Sequence, residues 1–94
     1  MAFARVVTFE GVGADRMEEL KRRIGEGDRP EELPATEIIA LYDSENEKSV
    51  VVVFFETEDD YRRGDEVLSA MPGDDTPGRR TSVGKYEVAV RAQG

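Results

Sequence analysis

Between Ala2 and Glu10 the chain alternates, with Phe3, Arg5, Val7 and Phe9 on one side and Ala4, Val6 and Thr8 on the other. A period of two with β-branched and aromatic content predicts a strand. After "GVG" at residues 11–13 the period lengthens: Met17, Leu20 and Ile24 fall on one helical face, while Arg16, Glu18, Glu19, Arg22 and Arg23 turn to water. Asp15 followed by Glu18 reads as the helix-start cap, and Gly25 or Gly27 as the end. "EGDRPEELP", residues 26–34, is a charged loop with two prolines. "ATEIIALYD", residues 35–43, is β-rich again, and the short "SENEK" separates it from "SVVVVFFE", the spacing of an antiparallel hairpin. "TEDD", residues 57–60, is an acidic helix start, followed by Tyr61, Gly64, Leu68 and Met71 along one side with Val67 beside them. "MPGDDTPG" ends that helix, and "RRTSVGKYEVAVRA" returns to strand with Tyr86, Val88 and Val90 on one face.

The order βαββαβ, without repeats, predicts one domain over residues 1–94. It is the order of a ferredoxin-like α+β sandwich: a four-stranded antiparallel sheet with strands one and three central and both helices on one face. The third strand adds a demand. Val50 to Phe55 are consecutively apolar, so this strand has no polar side and asks for cover on both. Helices supply cover on one side alone. Burying each Val or Phe is worth about 1.5–3 kcal/mol, a large share of the ~5–15 kcal/mol that stabilises a small domain. A second sheet would recover it, so the expectation is a homodimer joined sheet to sheet into a β-barrel.

A chain of 94 residues buries only about 60–65% of its unfolded surface alone, which strengthens the case for a partner. Net charge is −8, from 21 acids and 13 bases, and such a surface repels phosphate backbones; nucleic acid is not an expected partner. The chain has no cysteine and no histidine, which excludes disulfides, thiol nucleophiles, imidazole bases and the commonest zinc and haem ligands. The opening residues "MAFARVVTFE" have no long apolar core behind a basic flank and no apolar run is long enough to span a bilayer, so a cytoplasmic protein without membrane contact is expected.

"IIALYDSENEKSVVVVFFETEDDYRRGDEVL" followed by "TSVGKYEVAV" resembles the dimeric α+β barrel proteins related to antibiotic biosynthesis monooxygenases. A strand ending in Asp, a polar turn, an apolar strand, an acidic helix start and a closing "YEVA" strand recur there in this order. The resemblance runs from Ala2 to Arg91. It implies a dimer whose sheets close into a barrel, with a pocket in each subunit between sheet and helices. Enzymes of the family oxidise aromatic polyketides without metal or flavin, and relatives degrade haem; their catalytic patterns use Trp, Asn and, for haem, His. Here Trp and His are absent and the one Asn, Asn46, sits in the hairpin turn, so no catalytic residue carries over.

Other chemistry is weighed residue by residue. The GxG of Gly11 and Gly13 is not a dinucleotide loop: Arg16 stands at the third glycine position, and Glu31 and Glu32 lie in a Pro-flanked loop, not at a strand end. An RNA-recognition module would carry aromatics where the third strand has Val50 and Val52. Asp59 and Asp60 fit a helix start better than an acid/base couple. "EGDRPEE" and "GDDTPGRR" lack calcium-loop spacing, and no metal site is expected. Tyr42, Tyr61 and Tyr86 either line a ligand pocket through their hydroxyls or pack as partly buried residues. Arg5, on the apolar side of a central strand, either holds a ligand oxyanion or pairs across strands with an acid such as Glu87, the pair being favoured.

The sequence therefore gives an expected ligand pocket of Arg5, Tyr42, Tyr61 and Tyr86, with no cofactor and no assigned catalytic group. The leading functional expectation is a monooxygenase-like protein, cofactor-independent, acting on a small aromatic compound. The alternative is a non-catalytic small-molecule-binding or homo-oligomeric assembly module.

Overall fold

The computed structural model describes residues 2–27, 33–70 and 78–92. Glu31, Glu32, Met71 and most of "MPGDDTPG" lie outside them. Six elements follow in the expected order: β1 (Phe3–Glu10), α1 (Ala14–Gly25), β2 (Glu37–Asp43), β3 (Lys48–Phe55), α2 (Glu58–Ser69) and β4 (Arg79–Glu87). All pairings are antiparallel and the strand order is β2-β3-β1-β4, so β1 and β3 are central as the pattern demanded.

Register sorts the side chains into cross-strand rows. On the helix-covered side, Ile38, Val53, Arg5 and Lys85 form one row, and Ala40, Val51, Val7 and Val83 the next. Two apolar clusters lie between that side and the helices. Phe3, Leu33, Val53, Phe55 and Tyr61 form the first, with Leu68 of α2 against it. Val7, Phe9, Val12 and Met17 form the second, joined by Leu20 of α1 and by Tyr42. Gly64 is what lets α2 come so close: a Cβ there would run into the ring of Phe55, a residue with no exposed surface.

Among the described residues the other side of the sheet carries no helix. Its rows are Glu37, Phe54, Ala4 and Tyr86; Ile39, Val52, Val6 and Gly84; and Leu41, Val50, Thr8 and Ser82. Val50, Val52 and Phe54 are only half-buried there, and Leu41 and Tyr86 are exposed. Tyr86 lies over Gly84, its ring filling the space where a side chain on that glycine would stand. Arg91 stacks its guanidinium 4.6 Å from the Phe54 ring centre and pairs with Glu37 at 3.7 Å.

The ends of elements show local causes. Thr57 caps α2 by accepting the Asp60 N–H at 3.1 Å, and Glu58, Asp59 and Asp60 follow in the first turn. For α1 the expected Asp15 cap is corrected: Gly13 is the N-cap, without a side-chain bond, and Asp15 lies inside the first turn. The reason is Val12. Fully buried, it donates its N–H to the Glu47 carbonyl at 2.8 Å, which seats the chain on the hairpin and starts the helix earlier. Gly11 makes the turn into that position at φ 70°, a conformation open to glycine. The helix ends as expected: Gly25 is its last residue and Gly27 follows at φ 76°. The last strand stops at Glu87, short of the expected Val90, because Glu87 already faces Phe3 at the beginning of β1. One further bond, Val88 N–H to the Ala2 carbonyl at 2.9 Å, extends the contact, and Val90 is 83% exposed.

Candidate functional site

Two cations stand side by side on the helix-covered side of the sheet. Arg5 and Lys85 are register partners on β1 and β4, an arrangement of like charges that opposes pairing. The compensation comes from α2. Glu58, Tyr61, Asp65 and Ser69 follow at spacings of three and four, which puts them on one face of the helix, towards the sheet. Asp65 accepts from Arg5 Nε at 2.8 Å, Ser69 Oγ lies 3.5 Å from Arg5 Nη2, and Glu58 takes Lys85 Nζ at 3.1 Å. Glu58 also accepts from Arg62 at 2.8 Å. Tyr61 sits between the two ion pairs.

The ring of Tyr61 packs edge-on against Phe55 at 5.5 Å and tilted against Phe3 at 6.4 Å. Lys85 Nζ lies 5.3 Å from both the Phe3 and the Tyr61 ring centres, so its charge rests against two π faces while its stem covers apolar surface. Burial raises the Tyr61 phenol above its ordinary 10.0, the Asp65 charge adds to the rise, and Arg5 partly counters it. The phenol is therefore a neutral O–H donor throughout the neutral range. The Lys85 hydrogen bond, then its charge and that of Arg62, hold the Glu58 carboxyl below its usual 4.5.

Arg5 is the unusual member. It is 4% exposed, yet of its five N–H donors only those on Nε and Nη2 are engaged among the described residues. No buried side-chain nitrogen or oxygen lacks a partner among the described residues. A guanidinium has a planar fork of donors that matches an oxygen-bearing ligand. The expected cross-strand pair with Glu87 is corrected: Glu87 faces Phe3, and the partner of Arg5 comes from the helix. The Tyr61, Asp65, Ser69 spacing was the available signal, and cross-strand reasoning alone does not read it.

The four expected pocket residues do not converge. Arg5 and Tyr61 are together. Tyr42 belongs to the second apolar cluster and donates its hydroxyl to the Val12 carbonyl at 2.9 Å, holding the "GVG" turn onto the hairpin. Tyr86 is on the opposite face, 58% exposed. Lys85, Asp65 and Ser69 join the site instead. No group of acidic side chains able to hold a metal occurs among the described residues. No helix among them is long and apolar enough to cross a membrane.

No protein-family model matches the chain, and no curated protein matches it either. Among solved structures, the chain is similar to the crystal structure of a candidate antibiotic biosynthesis monooxygenase from Chloroflexus aurantiacus J-10-fl. The match covers 100% of this chain and 98% of that one, with a TM-score of 0.59 and 9% sequence identity. At that identity the likeness is one of fold: a four-stranded antiparallel sheet with two helices, arranged as in an antibiotic biosynthesis monooxygenase-like protein.

Proposed function

We propose that the chain is a homodimeric, antibiotic biosynthesis monooxygenase-like protein that binds a small aromatic compound between α2 and the sheet and acts on it without metal or flavin. The observation that carries this reading is Arg5, a nearly buried guanidinium with unspent donors beside the aromatic cluster of Phe3, Phe55 and Tyr61. In this reading Arg5 contacts an oxygen of the ligand, Tyr61 orients it through a neutral hydroxyl, and Lys85 closes the β4 side. Tyr42 serves the fold, and Tyr86 serves the dimer face.

The helix-free side of the sheet supports the dimer. Ile39, Leu41, Val50, Val52, Phe54 and Tyr86 form apolar rows that a monomer leaves partly in water. The same surface supports the second reading, an assembly module without a ligand. Ligand-observed NMR against a panel of small aromatic compounds, on wild type and on Arg5→Met and Tyr61→Phe, tests the first reading. It expects binding that both variants weaken, and a panel in which no compound binds leaves the assembly module. Sedimentation equilibrium tests the dimer: a monomer at micromolar concentration contradicts it, and Val52→Lys is expected to convert dimer to monomer.

A further inference from the structure

Arg5 and Asp65 are an unequal pair, with side chains 4% and 43% exposed. Their contact is a single short one, Nε to one carboxylate oxygen at 2.8 Å, and Arg5 Nη2 turns to Ser69 at 3.5 Å instead of completing a bidentate pair. We propose that Asp65 holds the place of a ligand carboxylate, and that a small aromatic carboxylate displaces it from the Arg5 guanidinium. The inference rests on the reading of this region as an aromatic-ligand site and narrows that ligand to a monoanion.

Three observations support the exchange. Asp65 is half in water already, so releasing it from one charged contact costs little. Arg5 cannot follow it out, and an incoming carboxylate that takes two parallel N–H groups gains the fork geometry Asp65 does not use. Replacing one carboxylate by another keeps one anion at the buried charge of Arg5, whereas adding an anion beside an intact pair would crowd two carboxylates onto one guanidinium. Tyr61 lies one helical turn before Asp65 on the same face of α2, its ring 6.4 Å from that of Phe3, and supplies aromatic surface for the ligand.

Benzoate and benzamide separate charge from ring, since they share the ring and differ in ionisation. Calorimetric titration of wild type, Asp65→Asn and Arg5→Met is the experiment. The asparagine keeps an acceptor for Nε but binds a guanidinium less strongly, so benzoate is expected to bind Asp65→Asn about tenfold more tightly than wild type. Arg5→Met is expected to lose benzoate. Equal benzoate affinity for wild type and Asp65→Asn overturns the inference. Benzamide binding as well as benzoate overturns it too, while leaving the aromatic site standing; failure of both compounds and of every other aromatic tested removes the site itself. Should Asp65→Asn not fold, the Arg5 Nε–H resonance of wild type is followed during the two titrations. It is expected to shift with benzoate and not with benzamide, and a resonance unmoved at benzoate saturation overturns the displacement.

Discussion

Arg5 and Asp65, sixty residues apart in the chain, meet through one 2.8 Å bond from opposite environments, the cation inside and the anion at the surface. Removing each partner should therefore have different costs. Asp65→Ala strips the acceptor from a guanidinium that stays buried, a loss of about 1–3 kcal/mol. Arg5→Met leaves a carboxylate that water can solvate and fills the space with an apolar chain, so it should cost less. Urea denaturation of both variants checks the order, and a larger cost for Arg5→Met would show that the guanidinium stabilises the fold by more than its bond to Asp65.

Gly64→Ala should destabilise strongly. The added methyl meets the Phe55 ring, and Phe55 has no exposed surface into which to retreat. Overpacking of this kind costs about 1–3 kcal/mol. Chemical denaturation measures it, and the simultaneous Phe55→Leu change should recover part of the loss by making room.

Tyr42→Phe removes the donor to the Val12 carbonyl and nothing else from the packing. A loss of about 0.5–1.5 kcal/mol is expected. Hydrogen exchange should locate it: the Val12 amide, bonded to the Glu47 carbonyl, should exchange faster while amides in α2 stay protected. Binding of any ligand at Arg5 should not change.

Acid should weaken the fold through Glu58. Lys85 and Arg62 hold its carboxyl below 4.5 in the folded protein, so between the folded value and 4.5 the unfolded chain binds more protons. Its contribution is present above pH 4.5 and is lost as pH falls through the folded value. Asp43, held below 3.8 first by the Asn46 side-chain amide and then by the Asn46 N–H, acts in the same direction at lower pH. Glu58→Gln should flatten stability against pH below 4.5, measured by denaturation at a series of pH values; an unchanged slope would assign the acid sensitivity elsewhere.

The fold was legible because its signals are local. The alternation at Phe3–Phe9, the Thr57 cap with its acids and the compact turn at residues 44–47 each name an element from a few neighbouring residues. The unbroken run Val50–Phe55 also carried information about the sheet as a whole, since its alternate members do face a side without helices. The site was half legible. Arg5 stands out on an apolar side at the sequence level, but its partner depends on how α2 lies across the sheet, which periodicity does not fix. Lys85 was invisible because its position opposite Arg5 follows from a register that shifts between Thr8 and Phe9. Tyr86 lies on the other face from Arg5, which a sequence does not show because a tyrosine in a strand reads the same on either face.

The central place of β1 also has a consequence in time. Of the six elements it is made before the others, yet its partners are β3 and β4. At roughly 5–20 residues per second β3 is complete about 2–9 s, and β4 about 4–15 s, after the last residue of β1 is made. Until β3 is made both hydrogen-bonding edges of β1 wait, and until β4 is made one still does; α1, made directly after β1, can shield only one face by laying Met17 and Leu20 over Val7 and Phe9. The nascent chain is thus most exposed to mispairing before its last strand is complete, and slowing synthesis ahead of Arg79 would lengthen that exposure.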